Sequence, residues 1–215
     1  MNRVALPVVI AIDGPAGSGK STIAGALAGA LDLPHVDTGA FYRAATLAVL
    51  NAGADPRDAE ACLAVVRRLD IARRAGRTML GGQDVEAEIR GAAVTAAVSA
   101  VSAHRAVREA LLAAQRAGVG SRGAVVEGRD AGTVVVPDAS LKIWLTASVE
   151  TRAARRAAQV GEDPAAQLAD IARRDQQDAR QMVPAPDAVT VDTTGRTVGE
   201  IVDELVRLVA TSGAH

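Results

Sequence analysis

The sequence predicts an α/β domain with a parallel β-sheet at its centre. Short apolar runs rich in β-branched residues recur along the chain, and Ala-rich stretches lie between them. Continuous apolar runs are typical of strands that are buried on both faces of a parallel sheet. Their alternation with helical stretches is the order found in doubly wound sheets. The length of 215 residues suits one such domain with an appended subdomain.

Five segments are predicted as strands of this sheet. The first, residues 8–12, reads VVIAI and is apolar throughout. It is followed by a turn-forming Gly-rich stretch, which marks its end. The other candidate strands are residues 33–36, 124–126, 141–145 and 188–191.

Helix starts are predicted from capping patterns. Thr197 is followed three residues later by Glu200, which is the spacing of a capping box. At residues 163–164 and 55–56 an Asp precedes a proline, and proline is favoured in the first turn after a cap. A further helix is expected to begin near Ser148.

One stretch departs from the alternating order of strands and helices. Between residues 71 and 85, short strand-like pieces surround Gly76 and the pair Gly81-Gly82. Glycines between strand-like pieces are typical of hairpin turns. The sequence therefore predicts a small hairpin within an insert of about residues 65–95.

Composition excludes some classes of function. The net charge is −1 and the pI about 6.3, so the chain has no global positive field with which to hold a nucleic-acid polymer. Aromatic residues make up 1% of the chain, which argues against base stacking on aromatic platforms. Lys occurs only at Lys20 and Lys142, and the remaining basic residues are Arg, which suits bidentate phosphate recognition.

Cysteine usage and hydropathy predict a cytoplasmic protein. Cys62 is the single cysteine, so no internal disulfide can form, which fits a reducing compartment. We expect Cys62 to serve helix packing. No segment approaches the ~20 apolar residues that a membrane span needs, and the apolar run near the start lacks a signal-type cleavage region. We therefore expect no membrane partner, no nucleic-acid partner and a monomer.

A phosphate-binding motif follows the first predicted strand. Residues 14–21 read GPAGSGKS, which satisfies G-x-x-x-x-G-K-[ST], and an Ala-rich helical stretch follows directly. Backbone N–H groups of such a loop curl around a phosphate chain, and the helix directs its positive N-terminal end at the same anion. Lys20 is expected to reach the β- and γ-phosphates of ATP, and Ser21 to offer its hydroxyl to Mg²⁺. The predicted nucleotide-binding residues of this segment are Gly14, Pro15, Ala16, Gly17, Ser18, Gly19, Lys20, Ser21 and Thr22.

Beyond this motif, the chain carries VDTGAFYR at 36–43 and EGRDAGTVVVPDA at 127–139. With these pieces it resembles the bacterial cytidylate kinases from about residue 8 to residue 208. The phosphate loop is generic, whereas the pieces that match DTGxxYR and GRDxGTVVxPDA are specific to that family. The resemblance is carried in order by IAIDGPAGSGKST at 10–22, VDTGAFYR at 36–43, VSAVSAHRAVREALL at 98–112, EGRDAGTVVVPDA at 127–139, KIWLTAS at 142–148 and IARRDQQDAR at 171–180.

The resemblance implies one P-loop kinase domain over residues 1–215. Its expected fold has three layers around a central parallel five-stranded sheet, with a small inserted NMP-binding subdomain at about 65–95 and a helical lid at about 150–180. The implied activity is transfer of the γ-phosphoryl group of ATP, held on Mg²⁺, to CMP or dCMP. Such transfer serves pyrimidine nucleotide metabolism.

The resemblance also assigns the acceptor site. It implies that Thr38, Arg43 and Arg129 hold the monophosphate, and guanidinium forks do fit phosphate oxygens. The implied base-reading residues are Ser99, Arg108 and Asp130. Cytosine presents a donor N4 amine that a carboxylate accepts, whereas uracil would turn O4 toward that carboxylate. Without the family, Ser99 and Arg108 would be placed on the exposed side of one amphipathic helix.

Further residues follow from the same matching pieces. Tyr42 belongs to the acceptor motif, while Arg174 and Asp178 match a piece that contacts the acceptor sugar and phosphate. Arg152, Arg155 and Arg156 lie where the family's lid begins, and arginines of the lid are expected to close on the triphosphate. The predicted catalytic residues are Lys20, Arg129 and Arg174.

The sequence departs from the family pattern in two places. Family members place an Arg three residues beyond the position of Asp178, but Gln181 stands there and Arg180 comes one residue early. Glu127 replaces the Asp that is more usual at its strand end, and this longer carboxylate could orient Mg²⁺ through water. We assign His35 and His104 no proton-transfer role and expect surface or packing positions for them.

Two alternatives to a CMP kinase remain open at this point. A kinase of the same architecture could act on another small acceptor and would differ at the base pocket. A nucleotide-binding switch without transfer activity would share the phosphate loop, but acceptor arginines would have no purpose in it.

Overall fold

The computed structural model describes residues 8–74 and 76–212. Its contacts divide the chain into two compact units. Met1–His35 and Val119–His215 form the first, here called the core unit, and Val36–Gly118 forms the second, here called the inserted unit. Val8, the predicted first residue of the first strand, lies within the described residues, and so do the motifs of the predicted acceptor site.

The elements are numbered in chain order. The strands are β1 Val9–Asp13, β2 His35–Asp37, β3 Ile71–Arg74, β4 Arg77–Leu80, β5 Gln83–Asp84, β6 Ala124–Gly128, β7 Leu141–Thr146 and β8 Val189–Asp192. The α-helices are α1 Lys20–Ala30, α2 Thr38–Asn51, α3 Ala59–Val66, α4 Ala92–Ala103, α5 Arg105–Ala117, α6 Val149–Val160, α7 Pro164–Asp178 and α8 Val198–Thr211. A 3-10 helix covers Glu88–Arg90, and a π-helical turn covers Ala131–Val135.

The central sheet has five strands in the order β2-β6-β1-β7-β8. β1 pairs in parallel with β6 and with β7, and β7 pairs in parallel with β8. The prediction of a parallel five-stranded α/β sheet is confirmed. The carboxyl ends of parallel strands share one edge, and ligands of such sheets bind there. In this sheet Asp13 at the end of β1 is in register with Gly128 at the end of β6.

Aliphatic side chains fill the core unit. Ile10 and Ile12 of β1 and Ile143 of β7 are almost completely buried, and Leu205 of α8 packs into the same cluster. α1 packs against α8, β1 and β6. Because a buried Leu-to-Ala truncation costs about 2–5 kcal/mol, Leu205 is one of the positions on which the sheet depends for stability.

Local capping patterns placed three of the four predicted helix starts. Thr197 and Glu200 form the capping box that begins α8, and Asp163 caps α7 with Pro164 in its first turn. Ser148 caps α6 through the backbone N–H of Thr151.

The predicted helix start at residues 55–56 is wrong. The segment forms a turn in which the backbone N–H of Asp58 donates to the carbonyl oxygen of Asp55. Asp58 is the residue that caps α3, since its carboxylate accepts from the backbone N–H groups of Glu60 and Ala61. Two Asp residues thus compete for the cap, and the one that directly precedes the apolar stretch prevails.

The inserted unit combines helices with a small antiparallel sheet of order β3-β4-β5. The predicted hairpin is present, because β3 pairs antiparallel with β4 from Ile71–Leu80 to Arg74–Arg77. Gly81 and Gly82 both have positive φ and form the turn between β4 and β5. α2 packs against α3 and α4 within this unit, and Cys62 of α3 is fully buried there.

The segment at residues 98–112 is divided between two helices. α4 ends at Ala103, His104 is extended with φ −73° and ψ 114°, and α5 begins at Arg105. The His104 side chain lies 2.9 Å from the carbonyl oxygen of Pro56 and is thereby tied to the turn before α3. None of the helices in the described ranges 8–74 and 76–212 has the length and apolar character of a membrane span.

Candidate nucleotide-binding site

The phosphate loop has the strained geometry that its glycines permit. Gly14, directly after β1, has φ 154°, and a Cβ at this position would lie 2.1 Å from the carbonyl oxygen of Leu145. Gly17 has φ 75°, and a Cβ there would lie 2.9 Å from Arg152 of α6. Larger residues would therefore displace the loop from the sheet edge. The loop ends at Gly19, which caps α1, so the helix N-terminus faces whatever the loop encloses.

Lys20 lies in an electropositive, partly buried position in the loop. Its ammonium group donates to the carbonyl oxygen of Pro15 at 2.8 Å. Burial, followed by the nearby Arg129 guanidinium, lowers the pKa of Lys20 from its ordinary value of 10.5 to about 7. An anion in the loop would stabilise the charged form. This arrangement agrees with the predicted role of Lys20 toward phosphates.

A chain of hydrogen bonds starts at Ser21, the second residue of α1. Its hydroxyl donates to Glu127 Oε2 at 2.9 Å, and the other carboxylate oxygen, Oε1, lies 3.0 Å from His35 Nε2. Glu127 stands at the C-terminal end of β6, and its side chain is 3% exposed. Sequence reasoning identified Ser21 and Glu127 but treated His35 as a packing residue. The signal that was missed is the position of His35 at the start of a strand that ends at the same sheet edge.

The donor set at this position fits Mg²⁺. Mg²⁺ takes oxygen ligands and is usually held by one or two protein groups together with substrate phosphates rather than by an all-protein cage. Ser21 Oγ and the Glu127 carboxylate supply such oxygens beside the loop. Across the described residues, no cluster of three or more His, Cys, Asp or Glu side chains is arranged to hold a metal ion.

Asp13 anchors the segment that carries Arg129 and Asp130. Its two carboxylate oxygens accept the backbone N–H groups of Ala131 at 2.7 Å and Gly132 at 2.8 Å. Burial raises the pKa of Asp13, and the two backbone hydrogen bonds oppose that rise. The contact fixes the π-helical turn directly after Asp130, and π-helical turns are frequent at functional sites. Asp13 was assigned no role from the sequence.

Arg129 is held against the phosphate loop. Its Nη1 donates to the carbonyl oxygen of Gly14 at 3.0 Å, and its Nη2 pairs with Asp178 Oδ2 at 2.9 Å. Burial, opposed by the Asp178 carboxylate, lowers the pKa of Arg129. Asp178, which the family resemblance assigns to the acceptor sugar, is thus also the ion-pair partner that orients Arg129.

Two arginines of the predicted lid lie close to the same loop. Arg152 of α6 donates to the carbonyl oxygen of Ala16 at 3.1 Å and pairs with Asp175 at 2.8 Å. Arg174 of α7 has a buried Nε that finds no hydrogen-bond partner among the described residues. A buried donor without a partner costs free energy, which a bound anion would remove. This orphaned donor beside the cations of the loop fits a phosphate ligand.

Arg155, another arginine of the predicted lid, also contacts the loop, because its Nη1 donates to the carbonyl oxygen of Ser18 at 3.4 Å. Arg155 Nη1 donates to Thr193 Oγ1 at 2.9 Å, and its Nη2 donates to the Thr193 carbonyl oxygen at 2.7 Å. Thr193 in turn donates to the carbonyl oxygen of Ser18 at 3.1 Å. Arg156 instead donates to Gln159 on its own helix, so the structure does not bring it to the loop. Its role toward the triphosphate stays a prediction.

The predicted acceptor residues of the inserted unit lie on three helices that pack together, α2, α4 and α5. Arg43 donates to the carbonyl oxygen of Ile89 at 3.1 Å and to Thr95 Oγ1 at 3.0 Å. The Arg108 guanidinium lies over the ring of Tyr42, 5.1 Å from its centroid. These contacts orient the two guanidinium groups.

The alternative placement of Ser99 and Arg108 on the exposed side of one helix is wrong. Ser99 is buried in α4, whereas Arg108 belongs to α5. Thr38 is also buried, and its carbonyl oxygen accepts from the fully buried side chain of Gln115 at 3.4 Å. In the core unit, Asp130 is buried, and Arg180 is exposed after the end of α7.

Comparisons with known proteins agree with these features. The family model described as cytidylate kinase matches residues 10–211. A cytidylate kinase of Mycolicibacterium paratuberculosis is 52% identical over 216 residues, which cover 94% of this chain and 95% of that protein. One of Nocardia farcinica is 51% identical over 218 residues, with 95% and 94% covered, and one of Symbiobacterium thermophilum is 44% identical over 214 residues, with 93% and 95% covered.

Solved structures support the fold. A crystal structure from Thermus thermophilus has a TM-score of 0.50 at 20% identity and covers 96% of this chain and 97% of its own. An uncharacterized protein from Eubacterium ventriosum has a TM-score of 0.53 at 13% identity, with 94% and 98% covered. The resemblance drawn from the sequence motifs is confirmed by the family match over almost the whole chain. This chain belongs to the cytidylate kinase family.

Proposed function

We propose that the protein transfers the γ-phosphoryl group of MgATP to CMP or dCMP, yielding ADP and CDP or dCDP. The observation that carries this proposal is the hydrogen bond from Arg129 to the Gly14 carbonyl oxygen, 3.0 Å long. It joins the phosphate loop to the arginine that the family resemblance assigns to the acceptor phosphate. Transfer requires the two phosphate-bearing ligands to be held next to each other, so the groups that bind them must be neighbours.

The chemistry needs positive charge and positioning rather than a covalent enzyme group. Phosphoryl transfer passes through a loose transition state whose negative charge is spread over the phosphoryl oxygens. Lys20, Arg129 and Arg174 belong to one cationic cluster, in which the charge of Arg129 helps to lower the pKa of Lys20. This mutual repulsion in the free protein is relieved when an anion binds, and pre-arranged cations stabilise developing charge without reorganisation.

Ser21 and Glu127 would hold Mg²⁺ in this proposal. When it is bound, the ion neutralises charge on the β- and γ-phosphates. The Ser21 hydroxyl donates a hydrogen bond to Glu127, which leaves the lone pairs of its oxygen available to a cation. Lys20 would then shift its ammonium group from the Pro15 carbonyl oxygen to phosphate oxygens.

The lid helices would keep water from the reacting phosphate. Arg152 is anchored to the Ala16 carbonyl oxygen and to Asp175, and Arg174 presents a donor without a protein partner among the described residues. Arginines that close on the triphosphate direct the γ-phosphoryl group to the acceptor rather than to solvent.

In the core unit, Arg129 would bind the acceptor phosphate, Asp130 the cytosine N4 amine and Asp178 the ribose hydroxyls. Uracil would place its O4 acceptor against the Asp130 carboxylate, and a buried acceptor left without its donor costs about 1–3 kcal/mol.

In the inserted unit, Thr38 and Arg43 would bind the acceptor phosphate. Ser99 and Arg108 would satisfy the ring acceptors of the base. The buried position of Ser99 and the stacking of Arg108 over Tyr42 support a binding role, because a solvated helix residue has neither.

The proposal is tested by steady-state turnover with MgATP and each of CMP, dCMP, UMP and AMP. We expect CMP and dCMP to be the preferred acceptors. Preference for UMP would overturn the base-reading assignment, and turnover of none of the four would favour a nucleotide-binding protein without transfer activity.

We further propose that the protein acts in the cytoplasm as a monomer. ATP and CMP, the proposed substrates, are found in the cytoplasm. The single cysteine, Cys62, is buried in α3 and is therefore unavailable for cross-links between copies. Sedimentation of the purified protein would test the oligomeric state.

A further inference from the structure

We propose that His35 is a positioning residue for the metal side of the donor site. Its imidazole holds the Glu127 carboxylate in the orientation in which Glu127 accepts a hydrogen bond from the Ser21 hydroxyl. The inference rests on the proposed use of MgATP.

Each carboxylate oxygen of Glu127 has a polar side chain within hydrogen-bond distance. Ser21 Oγ lies 2.9 Å from Oε2, and His35 Nε2 lies 3.0 Å from Oε1. An ionised carboxylate can only accept, so the hydrogen at the His35 contact is on Nε2. The Glu127 side chain is 3% exposed and that of His35 is 24% exposed, so solvent has little access to either oxygen. His35 therefore satisfies the half of the carboxylate that Ser21 does not reach.

Glu127 needs this second contact because of its length. A Glu side chain has one more rotatable bond than an Asp would have at this strand end, and ordering such a side chain costs conformational entropy. A hydrogen bond to Oε1 fixes the terminal torsion and with it the direction of Oε2. The imidazole thus compensates for the flexibility of the longer carboxylate.

The surroundings of His35 favour this position for its ring. His35 is the first residue of β2, and the ring lies beside Gly25 of α1, where an added Cβ would approach Nδ1 to 3.8 Å. That distance is an ordinary van der Waals contact, so the ring lies directly next to the helix that carries Ser21. His35 and Ser21 are therefore brought to opposite oxygens of one carboxylate by two different elements of the core unit.

The consequence concerns metal affinity. As long as Glu127 accepts the hydrogen bond of the Ser21 hydroxyl, the lone pairs of Ser21 Oγ remain available to a cation. Loss of the His35 contact lets the carboxylate turn away and frees the hydroxyl to point its hydrogen elsewhere. Loss of partners that orient metal ligands typically lowers metal affinity by about 10–100-fold.

The test measures Mn²⁺ binding to the enzyme with ADP by electron paramagnetic resonance. We expect His35→Phe, which keeps a ring but no donor, to weaken Mn²⁺ binding by about 10-fold. ADP affinity without metal should stay within about twofold of wild type, and His35→Gln, which retains a donor, should restore most of the Mn²⁺ affinity. His104→Phe is the matched control, because its ring contacts Pro56 in the inserted unit, and it should bind Mn²⁺ like wild type.

A double-mutant cycle separates positioning from a general structural effect. In a Glu127→Ala background, His35→Phe should weaken Mn²⁺ binding no further, since there is no carboxylate left to orient. Unchanged Mn²⁺ affinity in folded His35→Phe, or equal losses in the presence and absence of Glu127, would overturn the proposal. If His35→Phe does not fold, His35→Leu carries the same expectation. Failure of the wild-type enzyme to turn over CMP would refute the proposed function, yet the Mn²⁺ measurement would still decide the role of His35.

Discussion

The Nη1 atom of Arg129 lies 3.0 Å from the carbonyl oxygen of Gly14, although 115 residues separate them in sequence. The contact arises because β1 and β6 are parallel neighbours, so the residues that follow them emerge at the same sheet edge. Asp178 completes the arrangement by pairing with the second nitrogen, Nη2, at 2.9 Å. The guanidinium group is thus fixed before any ligand arrives, which reduces the reorganisation that binding and transfer require.

Lys20→Met should abolish most transfer but stabilise the ligand-free protein. Loss of a cation from the transition state is expected to lower kcat by about 100–1000-fold, the loss seen when one preorganised donor is removed. Met occupies similar volume without the charge that burial disfavours at this position. Thermal unfolding at pH 7 should therefore show a Tm a few degrees above wild type. A lower Tm for Lys20→Met would contradict the electrostatic account of the loop.

The same variant gives a prediction for pH dependence. The folded-state pKa of Lys20 is about 7, below its ordinary 10.5, so between these values the unfolded chain binds a proton that the folded chain does not. Stability contributed by this residue therefore rises with pH across that window. Urea unfolding from pH 7 to pH 9 should show a smaller gain in stability for Lys20→Met than for wild type. Parallel curves for the two proteins would show that Lys20 does not titrate in this range.

Asp130→Ala should impair the use of CMP, the phosphoryl acceptor, far more than the binding of ATP, the phosphoryl donor. Asp130 belongs to the segment after β6, whereas the phosphate loop follows β1 and takes its shape from its own glycines. We expect kcat/KM for CMP to fall by about 100-fold or more, with ATP affinity within about twofold of wild type. Calorimetric titration with ATP and steady-state kinetics with CMP measure the two effects. Equal losses for both ligands would contradict the assignment of Asp130 to the base.

Asp13→Asn should resemble Asp130→Ala in a milder form. Asn offers one acceptor oxygen where Asp offers two, so either Ala131 or Gly132 loses the partner of its buried N–H group. The cost is expected to be about 1–3 kcal/mol of stability, with a raised KM for CMP because the turn after Asp130 loosens. Chemical denaturation and kinetics test both parts. Wild-type stability in Asp13→Asn would show that the two hydrogen bonds do not hold the turn.

Gly14→Ala and Gly29→Ala form a matched pair. At Gly14 the added Cβ would lie 2.1 Å from the Leu145 carbonyl oxygen in a backbone of φ 154°, so the loop must move and nucleotide binding should be lost. Gly29 lies in α1 with no atom within 4 Å of an added Cβ, and Ala there should stabilise the protein by about 0.5–1 kcal/mol. Retained ATP binding in Gly14→Ala would contradict the tight packing of the loop against β7.

Local patterns predicted much of the fold. The apolar runs placed the strands of the central sheet to within about two residues, because strands buried on both faces need apolar side chains throughout. The capping box of Thr197 and Glu200 and the Asp163-Pro164 pair were also readable, since each acts within one helical turn. At residues 55–56 the same reasoning failed because Asp58 offered a competing cap.

Contacts between residues that are far apart in sequence could not be predicted from local patterns. Asp13 meets Ala131 and Gly132 across 118 and 119 residues, and His35 meets Glu127 across 92. No local spacing reports such pairs, because they depend on the order of strands in the sheet. The burial of Ser99 likewise depends on how α4 packs in the inserted unit. The family resemblance assigned Ser99 a role, but its own local sequence favoured an exposed position.

The most direct measurement follows the γ-phosphoryl group itself. Incubation of the enzyme with γ-³²P-labelled ATP, Mg²⁺ and CMP, followed by separation of the products, shows where the label goes. We predict labelled CDP as the main product, with little labelled orthophosphate. Label that appears only in orthophosphate, or stays on ATP whichever acceptor is added, would contradict the account.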